Sequence, residues 1–323
     1  MKTLEQTTAL IESGKPLWIS GPETLLRQLP KGNWIGGTIP YFMGEEGGII
    51  TDSLLDVTEA PAGDQPVVVK SYDSATLPAI YQHPCDLGYL IIPGMSAIHA
   101  SFGINAAEYD GFGNYPLFGW ISGIHLDDFG QVSPKVVNGQ TLEVRDDVAM
   151  CMHLNLPKGK VAEVDVVTIF EQDLEADLIT VAQPGFAHSD VLINGTPQNL
   201  ADYLSANKID TRLPLVADYA GAQISASFQN VDPAETSFYA PLFPGVEYHI
   251  AKPVGNYAAE LQTEVAKHGG HATFYCNCIL NFLYGELEGR TSGDLTGPAT
   301  FGEIAYLLLN QTGVALKISD ISE

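Results

Sequence analysis

Short apolar segments, separated by turns rich in glycine and proline, run through the whole chain and set the kind of fold it can adopt. The 323 residues include 32 glycines and 20 prolines. Segments 65–71, 86–92 and 147–156 carry the apolar or alternating patterns typical of strands, and the first two are expected to be buried. Helix patterns at 23–29 and 257–268 lie between further strand-like segments. This mixture predicts an α+β fold.

Local sequence signals mark where several of these elements begin and turn. Ser20 and Glu23 have the spacing of a capping box, with proline in the first turn, and this predicts the start of the helix at 23–29. The pairs at 138–139 and 194–195 are both Asn-Gly, which favours tight hairpins. Each half of the chain is therefore expected to contain a hairpin.

The stretch 157–160 (Pro-Lys-Gly-Lys) interrupts the pattern near the middle of the chain and is predicted to be the main boundary. A chain of 323 residues is about twice the usual domain length. Each half runs from strands through a hairpin to a helix. The sequence therefore predicts two related halves of mixed β-sheet with packed helices, residues 1–157 and 158–323.

The charge of the chain narrows the classes of partner. Its 15 basic and 39 acidic residues give a net charge of −24, which repels phosphate backbones and anionic lipid surfaces. The N-terminus lacks the pattern of a secretory signal, and no apolar run has the length of a membrane span. The four cysteines show no CxxC spacing and are expected to be reduced thiols. We expect a cytoplasmic protein that binds neither nucleic acid nor a membrane.

The common catalytic and nucleotide-binding signatures are missing from the sequence. It contains no Walker A motif, no HExxH, no GxSxG and no GxGxxG after a strand. The adjacent acids Asp127 and Asp128 are predicted to lie in a turn. His268 and His271 flank two glycines, with no third metal ligand nearby. The sequence therefore predicts no metal site, no cofactor and no catalytic residue.

Two pairs of side chains keep an enzyme open as an alternative. Cys276 and Cys278 share one face of a predicted strand, and so do Cys151 and His153. A thiol nucleophile needs a base, which His153 or His271 would supply, and a lowered pKa, of which the sequence gives no sign. Cysteines that pack as small apolar side chains are the favoured explanation of both pairs.

Polar side chains concentrate in one largely apolar segment near the C-terminus, residues 297–312. Thr300, Glu303 and Asn310 supply a hydroxyl, a carboxylate and an amide, and the glycines around them permit close approach of the backbone. Such a segment can meet the polar ends of a small ligand in a concave site. A turn that satisfies its own backbone is the structural alternative.

The same segment carries a family resemblance. The motifs at 278–281 (Cys-Ile-Leu-Asn), Gly285, 297–304 and 310–312 resemble the C-terminal half of the FIST family, sensory domains of intracellular signal transduction proteins. Weaker similarity extends upstream, so that the resemblance covers roughly residues 34–320. Asn281 stands where family members often carry arginine. We expect a module without the output domain that commonly follows FIST regions.

The resemblance implies a sensory module that binds an amino acid or a similar small metabolite and reports to a signalling partner. Six residues are the expected ligand contacts: Thr300, Glu303, Asn310, Cys276, Cys278 and Asn281. The alternatives are an enzyme that uses a Cys/His pair and a structural scaffold. A tightly packed segment 297–312 would favour the scaffold.

Overall fold

The computed structural model describes residues 1–219, 221–268 and 272–321, and it confirms the predicted α+β class. The α-helices are α1 Leu4–Glu12, α2 Glu23–Leu26, α3 Ala97–Asn105, α4 Leu200–Ala206, α5 Tyr257–His268 and α6 Ile279–Tyr284. The strands are β1 Leu17–Gly21, β2 Trp34–Thr38, β3 Tyr41–Gly44, β4 Gly47–Ile50, β5 Asp56–Glu59, β6 Val68–Tyr72, β7 Leu87–Pro93, β8 Leu117–Ser122, β9 Val136–Asn138, β10 Glu143–Arg145, β11 Ala149–Leu154, β12 Lys160–Val167, β13 Ile179–Thr180, β14 Gly185–His188, β15 Asp190–Ile193, β16 Thr196–Asn199, β17 Leu215–Tyr219, β18 Ala222–Ala226, β19 Phe228–Asn230, β20 Thr236–Leu242, β21 Tyr248–Ile250, β22 Ala272–Cys278, β23 Gly297–Thr300, β24 Glu303–Ala305, β25 Leu307–Leu309 and β26 Gly313–Asp320. No helix within the described ranges is long and apolar enough to cross a membrane.

A central six-stranded sheet, in the order β25-β24-β8-β7-β11-β6, positions the rest of the fold. Strands β7 and β8 are parallel, and their other neighbours are antiparallel. All seven residues of β7 are buried. Tyr89 and Ile91 face one apolar cluster, and Leu90 and Ile92 face another, which α3 covers. A strand buried on both faces has a continuous apolar sequence, which is why β7 could be predicted.

Two further sheets pack on the face of the central sheet that lies away from α3. One runs β12-β26-β22-β23-β3-β4, and the other runs β10-β9-β2-β1-β5. Aromatic side chains fill the space between them. Trp18 stacks on Tyr89 with ring centroids 4.3 Å apart, and the indole N–H of Trp120 donates to the Tyr89 hydroxyl at 2.5 Å. Each such side chain contributes about 2 kcal/mol or more by leaving water.

Residues of the second half also build a separate pair of sheets. The first has the order β16-β15-β13-β21-β17-β18, and the second has the order β14-β20-β19. They enclose a cluster of their own, which α4 covers through Leu200 and Leu204. Strand β20 reaches beyond this cluster, since Ala240 packs in the α3 cluster. This contact brings β14, β19 and β20 alongside α3.

Strands from the two predicted halves pair directly with one another. Met43 of β3 is in register with Gly297 of β23, and Trp120 of β8 is in register with Glu303 of β24. The central sheet and the six-stranded sheet that runs from β12 to β4 therefore both contain strands from before and after residue 157. The division into domains 1–157 and 158–323 stays a prediction.

Candidate functional site

Glu303, the acid of the predicted ligand site, lies at the centre of a buried polar network. Its Oε2 accepts from the Thr312 hydroxyl at 2.7 Å and from the Thr312 backbone N–H at 3.3 Å. Its Oε1 lies 3.3 Å from the Thr300 hydroxyl, and the Cys278 thiol also faces the carboxyl group. The structure thus brings three of the predicted ligand contacts together: Glu303, Thr300 and Cys278.

Burial raises the pKa of Glu303 to about 8, and hydrogen bonds from Thr312, Cys278 and Thr300 offset only part of that rise. The contacts also suit a protonated carboxyl group. The Thr300 hydroxyl donates to Oε1 when Glu303 is ionised, and when Glu303 is neutral it can donate to the Gly302 carbonyl, 2.9 Å away, and accept the Glu303 proton on its oxygen. At neutral pH Glu303 is therefore mostly a neutral acid within its own network, and not a fixed negative charge.

The other predicted contacts are engaged elsewhere in the interior. The Asn281 amide donates to Asn277 at 2.8 Å and accepts from the Tyr257 hydroxyl at 2.6 Å. The Asn310 amide accepts from the backbone N–H of Ser227 at 2.8 Å, which ties this segment to β19. The Cys276 thiol points at the Gly119 carbonyl.

All six predicted contacts are at most 1% exposed, and none of them lines a cavity described below. The segment 297–312 is tightly packed, as the scaffold alternative requires of it. A ligand could reach these side chains only if the surrounding strands moved apart. Their role as ligand contacts stays a prediction.

An open cavity of about 420 Å³ lies immediately beside this network; we call it the His99 cavity. Its walls come from α3, β14, β19, β20, α6 and the loop after residue 125. Most of the lining is apolar. Leu280 and Phe301 belong both to this wall and to the segments that carry Cys278 and Thr300. The cavity and the buried network therefore share backbone segments.

A strained turn between β7 and α3 forms one edge of the His99 cavity. Met95 has a φ of 61°, which is uncommon for a residue with a side chain. Gly94 precedes it because an added Cβ would lie 2.6 Å from the Ser122 carbonyl oxygen. Ser96 caps α3 and accepts from the His99 backbone N–H at 3.2 Å. Strained residues are concentrated at functional sites, which directs attention to this turn.

The His99 side chain lines the cavity, and its imidazole carries a hydrogen-bond donor without a partner among the described residues. Its Nδ1 accepts from the Met95 backbone N–H at 3.2 Å. Burial lowers the pKa of His99 to about 4, so the ring is neutral at pH 7 and its one hydrogen resides on Nε2. This Nε2 is buried and has no partner among the described residues. A buried donor left unpaired costs about 1–3 kcal/mol, which a ligand acceptor would recover.

The mouth of the cavity is apolar and carries one acid. Met95, Phe129 and Leu283 are 47%, 55% and 41% exposed, which is high for side chains of this size. Glu235 is exposed and is the one charged residue among those lining the described cavity. Exposed apolar groups around a concave site are typical of ligand entry.

Sequence reasoning missed His99, although it predicted the strand at 86–92 that precedes this turn. The signal was local: Gly-Met-Ser between a buried strand and a helix, with histidine one turn later. That the helix faces a cavity depends on β14, β20 and α6, which lie about 90 to 180 residues away in the chain. No local pattern contains this information.

The Cys151 and His153 pair also comes together, with Cys85 as a partner that the sequence analysis did not name. The His153 Nδ1 lies 3.9 Å from the Cys151 sulfur and 3.6 Å from the Cys85 sulfur. Burial raises the pKa of Cys151 well above its usual value and that of Cys85 to about 11, and it lowers the pKa of His153 to about 3. Both thiols and the imidazole are therefore neutral at pH 7, the opposite of what a thiolate nucleophile requires.

The predicted histidine pair can be followed only in part. His271 lies outside the described residues, and the His268 Nδ1 is 3.2 Å from a carboxylate oxygen of Asp165. Asp127 and Asp128 fall in a 3₁₀ turn, as predicted. Within residues 1–219, 221–268 and 272–321, no group of three or more ligating side chains could hold a metal ion.

The fold is an α+β fold, and it contains a mostly apolar cavity beside α3. The chain belongs to a family of unknown function, DUF6976, whose model matches residues 2–319. No curated protein and no solved structure matches the chain. The family match does not connect the chain to the FIST family, and that resemblance stays a prediction.

Proposed function

We propose that this protein is a cytoplasmic sensory module that binds a small organic molecule in the His99 cavity. The observation that carries the proposal is the buried Nε2–H of His99, which has no partner among the described residues and belongs to a residue lining a cavity of about 420 Å³. An empty apolar cavity needs no donor, whereas a binding site uses a few such groups to orient its ligand.

The lining supports one ligand chemistry. The apolar wall takes an apolar body, His99 donates to an acceptor such as a carboxylate oxygen, and Glu235 at the mouth attracts a cationic group. An amino acid with an apolar side chain, or a similar metabolite, combines these three features. It would bind with its carboxylate toward His99 and its ammonium group toward Glu235.

The shared wall offers a route from binding to a signalling partner. Leu280 and Phe301 line the cavity and are neighbours, in the chain, of the segments that hold the Glu303 network. A ligand changes the conformational equilibrium only if it binds one arrangement of these segments better than the other. The apolar mouth around Phe129 and Leu283 is where such a change would alter a partner contact.

A thermal-shift screen with apolar amino acids and related metabolites tests the proposal. A ligand at 100 times its Kd stabilises the protein by about 2.7 kcal/mol, which raises the unfolding temperature by several degrees. Ala100 is exposed on α3 and lines the cavity, so Ala100→Trp should fill the cavity and abolish the shift.

Ala97→Trp is the matched control, because Ala97 is exposed on the same helix but does not line the cavity. It should leave the shift intact. Ligands whose shift survives Ala100→Trp would contradict the proposal. If Thr300→Val removes the shift while Ala100→Trp does not, the ligand binds at the buried network instead.

A further inference from the structure

A second cavity lies on the same face of α3 as the first. This cavity, of about 190 Å³, is lined by Gly103, Ile104 and Ala107 and is called the Ser225 cavity here. Ser96, His99 and Ala100 line the His99 cavity. Each of positions 96, 99, 100, 103, 104 and 107 lies three or four residues from another of the set, so together they form one stripe along the helix and its 3₁₀ extension. The two cavities therefore follow each other along a single surface.

The ring of Phe186 lies close to Gly103, beside residues that line the two cavities. A Cβ added to Gly103 would lie 2.6 Å from the ring of Phe186, which lines the His99 cavity, and 3.0 Å from Leu308, which lines the Ser225 cavity. Phe186 is only partly buried. It also lies at an irregularity in the pairing of β14 with β20, between Gly185 and Ala187. Bulges of this kind redirect a side chain, so the ring occupies a place that the regular strand would not give it.

The Ser225 cavity holds a polar group without a partner, as the His99 cavity does. Ser225 is 1% exposed, and its hydroxyl has no hydrogen-bond partner among the described residues. The rest of the lining is mostly apolar, with Val246 and Leu307 among its members. A buried hydroxyl without a partner costs free energy, which a hydrogen bond to a ligand would recover.

We infer that the two cavities are the two ends of one elongated binding site, which opens when the Phe186 ring turns aside. The inference rests on the proposed function and extends its ligand class. The ligand is a linear molecule with an apolar middle and a polar group at each end, one on the His99 Nε2–H and the other on the Ser225 hydroxyl. From His99 to Ala107, eight residues at about 1.5 Å each span about 12 Å of helix, the reach of a chain of roughly ten methylene groups.

Three uncharged probes test the inference, by displacement of the fluorescent dye Nile red from the full-length protein. 1-Hexanol fills only the His99 cavity, whereas 1-dodecanol and 1,12-dodecanediol reach the Ser225 cavity. Ala107 is exposed and lines the Ser225 cavity, so Ala107→Trp should block that end. We expect it to weaken dodecanediol binding at least tenfold and to leave hexanol binding unchanged.

Two further variants test the roles of the Phe186 ring and of the Ser225 hydroxyl. Phe186→Ala should raise the ratio of dodecanediol affinity to hexanol affinity several-fold, because the ring no longer has to move. Ser225→Ala should weaken dodecanediol about fivefold, the effect of one hydrogen bond, and leave dodecanol unchanged. Ala97→Trp again serves as the control for a tryptophan on the exposed side of α3.

The outcomes separate the two proposals. If Ala100→Trp leaves hexanol binding intact, the proposed function fails. If Ala100→Trp abolishes hexanol binding but Ala107→Trp leaves dodecanediol binding unchanged, the His99 cavity is the whole site and the elongated site is wrong. Failure of dodecanediol to bind a wild-type protein that does bind hexanol would overturn it equally.

Discussion

The Glu303 carboxyl group makes the stability of the folded protein depend on pH. It is fully buried, and no basic side chain of the described residues helps to keep it ionised. Its pKa is about 8 in the folded protein, against a usual value of 4.5. Between pH 4.5 and pH 8, the folded state holds a proton on Glu303 that the unfolded state releases. The stability that this proton provides is complete below about pH 4.5 and is lost as the pH rises toward 8.

Glu303→Gln should therefore flatten the pH dependence of stability. Glutamine donates to Thr300 and accepts from Thr312 as the protonated acid does, but it does not titrate. The free energy of unfolding of the wild type should fall by a few kcal/mol between pH 5 and pH 8 relative to the variant. Urea unfolding at several pH values measures this difference. The exposed Glu46, as Glu46→Gln, is the control, and parallel curves for wild type and Glu303→Gln would contradict the assignment.

At the scale of single elements, the β15–β16 hairpin illustrates what a local signal determines. Asn194 and Gly195 both have positive φ, 49° and 78°, as the two central residues of this tight turn require. Helix α5 likewise has the predicted bounds, 257–268. The hairpin and the helix could both be predicted because the conformation of each depends mainly on its own residues.

Other elements were predicted wrongly because their surroundings decide them. The capping box at Ser20 does not form: α2 begins after Pro22, ends at Leu26, and Ser20 belongs to β1. Segment 65–71 was expected to be a buried strand, but β6 is the edge of its sheet and is mostly exposed. A run of valines favours a strand, yet only the sheet order determines which strand lies at the edge.

Gly195→Ala should weaken the hairpin through backbone strain alone. An added Cβ at Gly195 would meet no atom within 4 Å, so no clash adds to the cost of its positive φ. We expect the free energy of unfolding to fall by about 1 kcal/mol. Gly185→Ala is the matched control, because its added Cβ would make only ordinary contacts and its φ is not in the left-handed region. Equal effects at both glycines in urea unfolding would contradict this account.

At the scale of the whole molecule, strands from both predicted halves share two sheets. The central sheet takes β24 and β25 from residues after 157, and the sheet that contains β22 takes β3 and β4 from residues before it. The amphipathic pattern of each strand could be found in the sequence, but its partner could not. The same holds for the candidate site, since the walls around His99 come from three distant segments.

These shared sheets should make unfolding a single cooperative event. All three tryptophans, Trp18, Trp34 and Trp120, lie before residue 157 and are fully buried, so their fluorescence reports on the first half. Far-UV circular dichroism reports on the strands of the whole chain. The two signals should give coincident urea transitions. A tryptophan transition well separated from the circular dichroism transition would show that residues 1–157 unfold independently.

The small side chains along α3 carry a consequence for comparing members of the family. Ala100, Gly103 and Ala107 leave the space in which both cavities lie, and a bulkier residue at any one of them closes a defined part of it. If the elongated binding site is correct, these three positions should determine the length of the ligand that a relative binds. A large residue at 107 should restrict the site to shorter ligands, and a large residue at 100 should prevent binding. The sizes of the side chains along α3 would then set the length of the ligand that each relative binds.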